Sequence, residues 1–432
     1  MIDMLHSSSG KHGGGFAGLT SAVYLAKAGY NVELIEASSK LGGRAYSFLD
    51  KNTGTVIDNG QHILMGCYDE TLKFIKLIKA EDNFHFQKRL EVNFLASNFK
   101  ILPLKSFPVF YPLNLLLGLL NYKAITFFER LKLLKFILTL PFFSKKKLDH
   151  MNVAELLENG NQNENIRKAF WEIIAVGALN ANIKNASAKI FADVLRKIFF
   201  KGNSSSTIVL PLYGLSESYC NHAQKFIEEN NGRIFFSEPV LSLQIENEKV
   251  SEIITSKRTI TDFDFVVTAV PLFAIEKISP DIITDKFHLK YSSILSTHIW
   301  LNENPLDKTF YGLIDSEVHW IFNHGTHITI VISHANELAE KSNETIFEII
   351  MSEIEKFTKI KKELVIRYKI IKEKRATFIP LGDIIKLRPP SRTKLRNVFL
   401  AGDWTDTGLP STIESAVKSG RTAAEIIIGQ SY

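Results

Sequence analysis

Gly402-Asp403-Trp404-Thr405, continuing through Gly408-Leu409-Pro410-Ser411-Thr412-Ile413-Glu414-Ser415-Ala416-Val417-Lys418-Ser419-Gly420, is the stretch that decides the fold. Ahead of it, Asn397-Val398-Phe399-Leu400-Ala401 reads as a short buried strand. After it, Ile413, Ala416, Val417, Ala423, Ala424 and Ile427 recur at helical spacing, which predicts a closing helix beginning near Ser411 or Thr412. A strand ending in Gly-Asp, a tight turn and a helix with small residues on one face make a seat for a ligand. The helix start offers free N–H groups and a partial positive charge.

A matching unit lies at the other end of the chain. In Gly13-Gly14-Gly15-Phe16-Ala17-Gly18, the residues Gly13, Gly15 and Gly18 fit the G-x-G-x-x-G pattern. A helix follows, with Leu19, Ala22, Val23, Leu25 and Ala26 on one face and Gly29 as its stop. Asn31-Val32-Glu33-Leu34-Ile35-Glu36 then reads as a second strand ending in an acid. Glu36 stands where a carboxylate would meet ribose hydroxyls, and the glycines let backbone N–H groups reach a pyrophosphate at the helix start. Glycine pattern, helix, strand and acid together predict a dinucleotide site. The strand that should precede the glycines is less clear. Ser7-Ser8-Ser9-Gly10-Lys11-His12 is polar, and Met1-Ile2-Asp3-Met4-Leu5 lies too far upstream to feed the turn directly. Either the first strand is poor, or the chain starts differently from its ancestor.

A second glycine turn follows in Ser39-Lys40-Leu41-Gly42-Gly43-Arg44-Ala45, then Thr55-Val56-Ile57-Asp58-Asn59-Gly60-Gln61-His62. Gly42 and Gly43 permit close approach of backbone to ligand, and Arg44 could meet phosphate oxygens bidentately. With G-x-G-x-x-G, the acid, G-G-R and the C-terminal Gly-Asp turn, the chain resembles the flavin-containing amine oxidase and phytoene desaturase superfamily. Asp58 to Tyr68, Lys374-Arg375-Ala376-Thr377-Phe378 and Gly402 to Glu414 resemble, more narrowly, the squalene-associated FAD-dependent desaturases, the hydroxysqualene dehydroxylases of hopanoid-making bacteria. The resemblance runs from about Gly13 to the C-terminus. It implies an α/β chain: a Rossmann-like FAD-binding domain, discontinuous over 1–82, 206–271 and 381–432, with an inserted α+β substrate domain over 83–205 and 272–380. It implies FAD contacts at Gly13, Gly15, Gly18, Glu36, Gly42, Gly43, Arg44, Gly60, Gly402, Asp403, Ser411, Thr412 and Ile413, and at adenine through the backbone of Val240. For Val240 the plainer reading is strand core.

Length and composition suit a sizeable core: 432 residues, 45% hydrophobic, with a net charge of +6 scattered along the chain. Scattered charge gives no nucleic-acid footprint. Cys67 and Cys220, far apart in sequence, read as buried free thiols in a reducing compartment. No apolar segment before Gly13 resembles a signal peptide. The expected location is the cytoplasm, with peripheral contact on the inner face of the cell membrane.

From Ile101 to Phe143 the chain is rich in Leu, Phe and Ile, in runs too short for a bilayer span of about 20 residues. Lys123, Glu129, Arg130, Lys132 and Lys135 punctuate it and Lys145-Lys146-Lys147 closes it. Two readings stand: a helical cap with an ordinary core, or a membrane-dipping mouth for a lipid substrate. From Asn152 to Lys201 the pattern stays helical. Leu210 to Ser216 is expected to open a helix, Gly232 to Phe236 and Pro239 to Ile245 to form strands, and Val250–Ile254 and Phe263–Pro271 to continue a meander. Ser293–Leu301, Phe310–Ile314, His319–Phe322 and Thr326–Ser333 read as a substrate-domain sheet, with Thr345–Phe357 a helix on its surface.

H-E-x-x-H, C-x-x-C and G-x-S-x-G are all missing, so neither a metal site nor a Ser nucleophile is expected. A flavin brings hydride chemistry itself and asks the protein for orientation and electrostatics. His62 is the candidate proton donor, with Gln61 and Asp58 as helpers; the alternative is that Gln61 and His62 only bond backbone around the cofactor turn. The resemblance implies an isoprenoid lipid substrate and reductive removal of a hydroxyl from hydroxysqualene. A carotenoid-type desaturase or another amine-oxidase-like flavoenzyme is the rival, and a flavin-less lipid-binding protein is the non-enzymatic one. The sequence names no electron donor.

Overall fold

The computed structural model describes the backbone of residues 2–5 and all of 13–283 and 288–430. Five parallel strands form the central sheet, in the order Arg233–Phe235, Val32–Ile35, Ile2–Leu5, Phe265–Thr268, Val398–Leu400. The first strand is therefore present: Ile2–Leu5 holds the middle of the sheet, pairing with Val32 to Leu34 on one side and Phe265 to Thr268 on the other. The polar stretch 7–12 lies outside the described residues. Every residue of Val32–Ile35 and Val398–Leu400 is buried, as parallel strands covered on both faces require.

The helix Phe16–Lys27 and the closing helix Ile413–Ile428 pack on each other across this sheet. A Cβ on Gly420 would lie 2.1 Å from the Ala17 carbonyl oxygen, so only glycine allows the two backbones this close. Thr412 caps the closing helix by accepting from Ser415 N at 3.3 Å. Phe265–Thr268, expected in the meander, instead belongs to the central sheet; the meander proper is Val240–Glu246, Lys249–Thr255 and Thr259–Ile260. Leu210 and Pro211 end the strand Ile208–Pro211, and the expected helix opens at Ser216, as a π-helical turn Ser216–Cys220 that runs on into the helix Asn221–Glu229.

The second large sheet has seven strands, in the order Val365–Phe378, Tyr291–Leu301, His327–Ile332, Trp320–Asn323, Phe310–Leu313, Glu91–Ala96, Lys100–Lys105. Its pairs are antiparallel except that between Phe310–Leu313 and Glu91–Ala96. The helix Asn343–Phe357 covers it through Ile346, Phe347, Ile350 and Ile354, all buried. A small sheet of Leu64–Met65, Ile208–Pro211 and Phe84–Phe86 ties the two units together.

Residues 101–143 divide their apolar groups between inside and outside. Lys100–Lys105 is a strand, and the helices Leu113–Leu120 and Phe127–Thr139 follow. Leu115, Leu119, Leu133, Phe136 and Ile137 are core. On the outer side Phe110, Phe128 and Phe142 are 73%, 76% and 86% exposed, with Val109, Leu113, Phe127, Leu131 and Leu138 also open. No helix among the described residues is long and apolar enough to cross a membrane.

Candidate functional site: two glycine turns opening on an apolar cavity

The central sheet delivers the site at the carboxyl ends of its strands, where open parallel sheets hold ligands. The helix Phe16–Lys27 begins after Gly15 with no side-chain cap among the described residues and no acid in its first turn, an arrangement that suits an anion at its leading N–H groups. A Cβ on Gly18 would stand 1.8 Å from the Gly13 carbonyl oxygen, which fixes glycine at the third place of the pattern. Gly42, at φ +113°, donates its N–H to the Gly14 carbonyl at 2.8 Å, joining the second glycine turn to the first.

Glu36 is buried under these turns. Its carboxylate accepts from Gly14 N and Ser38 N, both at 2.7 Å. Burial raises its pKa above the usual carboxylate range, and these N–H bonds only partly offset the rise. The Ser38 hydroxyl and the Gly13 N–H bond the same carboxylate, so Glu36 braces the glycine turn from several sides.

Across the site, Asp403 accepts from Arg44 Nη2 at 2.5 Å and from the Ser411 hydroxyl. Burial opposes its charge, but the Arg44 guanidinium and the Ser411 hydroxyl outweigh burial and hold Asp403 below its ordinary pKa. Arg44 also donates to the Ala376 carbonyl at 2.8 Å. It thus links the second glycine turn, the Lys374–Phe378 segment and the Gly-Asp turn.

The residue that shapes the Gly-Asp turn most was not visible in the sequence. Arg388, buried, donates to the carbonyl oxygens of Leu409 at 2.7 Å, Asp403 at 2.9 Å, Trp404 at 3.3 Å and Thr405, and to Thr407 Oγ1 at 2.9 Å. Burial pushes it down to about 10, leaving it charged at neutral pH. It replaces the partners that these loop carbonyls lack. Glu414, also buried, accepts from Glu70 N at 3.1 Å and Thr71 N at 2.9 Å, which fastens the helix Asp69–Leu77 to the start of the closing helix.

One cavity of about 410 Å³ takes in Gly15, Gly42, Gly43, Arg44, Gly60, Gln61, His62, Gly402, Asp403, Ser411, Thr412 and Ile413. It continues without a break into an apolar compartment walled by Phe94, Leu119, Phe170, Ile173, Trp320 and Phe322. Gly13, Gly18, Glu36 and Val240 do not line it: the first three shape the turn from behind, and Val240 is buried in a strand paired with Thr255.

His62 and Gln61 both line the cavity. Desolvation drives His62 down to about 4, against a hydrogen bond to the Arg44 carbonyl, which favours its neutral imidazole. Asp58 is turned away from the cavity and accepts from Ser47 Oγ at 2.7 Å and Leu215 N at 2.9 Å; burial pushes it up to about 6. Asp58 braces the turn before Gly60 rather than assisting His62. Cys67 and Cys220 are free and buried, as expected.

The helix start, the paired glycine turns and the Arg44–Asp403 link fit a dinucleotide whose reactive end faces the apolar compartment. This fold and site define a dinucleotide-dependent oxidoreductase. The chain belongs to the flavin containing amine oxidoreductase family, whose pattern it matches over residues 16–428, and the cofactor is accordingly a flavin.

Among curated relatives, the hydroxysqualene dehydroxylase of Zymomonas mobilis is 28% identical, over 97% of this chain and 98% of its own. That of Rhodopseudomonas palustris is 27% identical over 96% and 97%. The zeta-carotene desaturase of Synechocystis is more distant, at 22% over 96% of each chain. Among solved structures, an oxidoreductase from Methanosarcina mazei superposes with TM-score 0.75 at 16% identity, covering 98% of this chain and 100% of the other. Cyclohexylamine oxidase from Brevibacterium oxydans gives TM-score 0.67 at 13%, over 99% and 98%. At such identities these two speak for the fold alone.

Proposed function

We propose that the protein is an FAD-dependent oxidoreductase that removes the hydroxyl of hydroxysqualene reductively, giving squalene and water. The carrying observation is the single cavity that joins the glycine turns to a long apolar compartment. The dehydroxylase relatives, 25% to 28% identical over nearly the whole chain, support this reading over carotenoid desaturation, where relatives reach 20% to 22%.

In this reading Gly13, Gly15 and Gly18 let the helix start receive the FAD pyrophosphate. Glu36 faces a ribose, Val240 offers its backbone to adenine, and Gly42, Gly43, Gly60 and Gly402 keep the backbone close to the cofactor. Asp403 is held by Arg44 and Ser411 in position for a cofactor hydroxyl, and Ser411, Thr412 and Ile413 present the closing helix start. Reduced flavin supplies a hydride. The protein excludes water: Phe94, Phe170, Trp320 and their neighbours surround the chain so that water does not capture an allylic cation. Residues 83–205 and 272–380 act as the substrate-handling part.

The exposed Phe110, Phe128 and Phe142 give this part a face for a lipid surface, on the cytoplasmic side of the membrane. An isoprenoid that barely dissolves in water then reaches the cavity from lipid. Incubation of the purified, anaerobically reduced enzyme with hydroxysqualene, followed by product analysis, tests the reading. Squalene should accumulate; unchanged hydroxysqualene, with phytoene desaturated instead, would move the assignment to the carotenoid enzymes.

A further inference from the structure

The apolar compartment contains polar groups that its walls do not satisfy. Ser206 is 1% exposed, and its Oγ has no hydrogen-bond partner among the described residues. Ser106 Oγ, also buried, is in the same condition, and both residues line the cavity. A buried hydroxyl without a partner is costly and rare in a native interior. Two of them in one cavity point to a ligand that supplies the missing polar atom.

Two larger polar side chains share this cavity. Tyr68 and Lys197 both line it, and among the described residues neither the Tyr68 hydroxyl nor Lys197 Nζ makes a hydrogen bond or ion pair. Tyr68, Lys197 and Ser206 come from three adjoining segments of the cavity wall. Met65 pairs with Ile208, and Gly66 N donates to the Thr207 carbonyl at 2.9 Å, so the segment carrying Tyr68 runs beside the one carrying Ser206. The helix Ala188–Phe200 carries Lys197 and leads directly into the turn Asn203–Ser206. Lys197 lies within electrostatic reach of Cys67 and Glu414.

The cluster also adjoins the cofactor turn. Glu414 follows Ile413 directly, and its bonds to Glu70 N and Thr71 N tie the helix that starts after Tyr68 to the closing helix. The segment that carries Tyr68 is thereby tied to the start of the closing helix, which lines the same cavity. A hydrocarbon would leave all of these groups unpaired; an alcohol would not.

Building on the dehydroxylase reading, we propose that Lys197, Tyr68 and Ser206 form the hydroxyl-binding end of the substrate cavity and that Lys197 protonates the departing hydroxyl. The C–O bond breaks with its electron pair on oxygen, and the Lys197 proton completes water. The new C–H bond takes a hydride from the reduced flavin, whose remaining proton passes to solvent, and solvent restores the proton on Lys197. Tyr68 and Ser206 bond the same oxygen and position it. His62, neutral and lodged under the Arg44 carbonyl, is not required as the acid.

The test compares Lys197→Met, Lys197→Arg and Tyr68→Phe with wild type, each first checked for flavin content and melting temperature. In anaerobic single turnovers with hydroxysqualene, Lys197→Met should slow oxidation of the reduced flavin about 100-fold or more, the scale of a lost general acid. Lys197→Arg, which keeps a charged hydrogen-bond donor but does not release its proton, should lose nearly as much rate while keeping the binding of the alcohol, and Tyr68→Phe should lose less than either. A second readout is equilibrium binding of hydroxysqualene and squalene to the oxidised holoenzyme. Wild type should prefer the alcohol at least tenfold, and Lys197→Met and Ser206→Ala should erode that preference. Variants within twofold of wild type in rate would overturn the proposal. If wild type fails to reduce hydroxysqualene, the dehydroxylase reading falls and binding alone decides the cluster. A preference for the alcohol that Lys197→Met abolishes would then sustain the cluster, and equal binding of alcohol and hydrocarbon would overturn it.

Discussion

The region around the glycine turns and the region around the apolar compartment are built on opposite principles. Around the glycine turns, positions are set by backbone hydrogen bonds and charge: Gly42 to Gly14, Glu36 to Gly14 and Ser38, Arg44 to Asp403, Arg388 to a run of carbonyls. Around the apolar compartment, positions are set by shape. Trp171 stands edge-on to Phe136, Phe170 and Phe191 with centroids 4.8 to 6.1 Å apart, and its indole N–H donates to Gln162 at 2.9 Å. A polar frame fails when one partner is lost, whereas an apolar wall of mixed side chains repacks around modest changes. The two regions should therefore respond very differently to substitution.

The largest effect is expected at Arg388. Removing its side chain strands several buried carbonyl oxygens, each costing about 1–3 kcal/mol when left unpaired. Arg388→Ala should purify with little flavin and a clearly lower melting temperature. A variant that keeps wild-type flavin content and melting temperature would show that the Gly-Asp turn stands without its brace.

Acid should expose a weakness of the seven-stranded sheet. His298, buried, is pushed down to about 4 and His327 to about 3, in both cases chiefly by burial. As pH falls below 6.5 the unfolded chain takes up protons that the folded chain refuses until near pH 4, so stability is lost across that window. For His298 alone the loss is on the order of 3 kcal/mol. Denaturant melts at pH 7 and pH 5 measure it; equal midpoints would mean that these imidazoles are not held neutral.

A smaller change is expected for Asp403→Ala, which deprives Arg44 and Ser411 of their shared acceptor. Flavin affinity should fall about tenfold, roughly 1.4 kcal/mol, while the sheet stays folded; apoprotein that takes up FAD with wild-type affinity would contradict this. The smallest effect on stability is expected at Phe110, Phe128 and Phe142. Changing all three to Ser should release the protein from phospholipid vesicles and leave flavin content and melting temperature in place. Unchanged sedimentation with vesicles would show that this face has another use.

The same contrast explains what could be read from the chain. Gly13 to Glu36, Gly42-Gly43-Arg44 and Gly402 to Ile413 were legible because each close backbone approach admits only glycine or one polar residue type. Arg388 was not, since its partners are carbonyls of a loop that exists only once the chain is folded. His62 was placed at the cavity, yet its burial, which decides its charge, is a tertiary property. The strand Val365–Phe378 was missed because its charged run reads as surface; it is the edge of its sheet, where lysines and arginines discourage further pairing. Ile101 to Phe143 resisted a single reading because its apolar residues serve the core on one side and face outward on the other.

The central claim is that both regions serve one reaction, with reduced flavin at the glycine turns meeting an isoprenoid alcohol in the apolar compartment. Stopped-flow absorbance of the anaerobically reduced holoenzyme mixed with hydroxysqualene tests it most directly. The oxidised flavin spectrum should return in a single phase, with one squalene formed per flavin and no response to squalene itself. A flavin that stays reduced with hydroxysqualene, while the oxidised enzyme is bleached by phytoene, would contradict the claim.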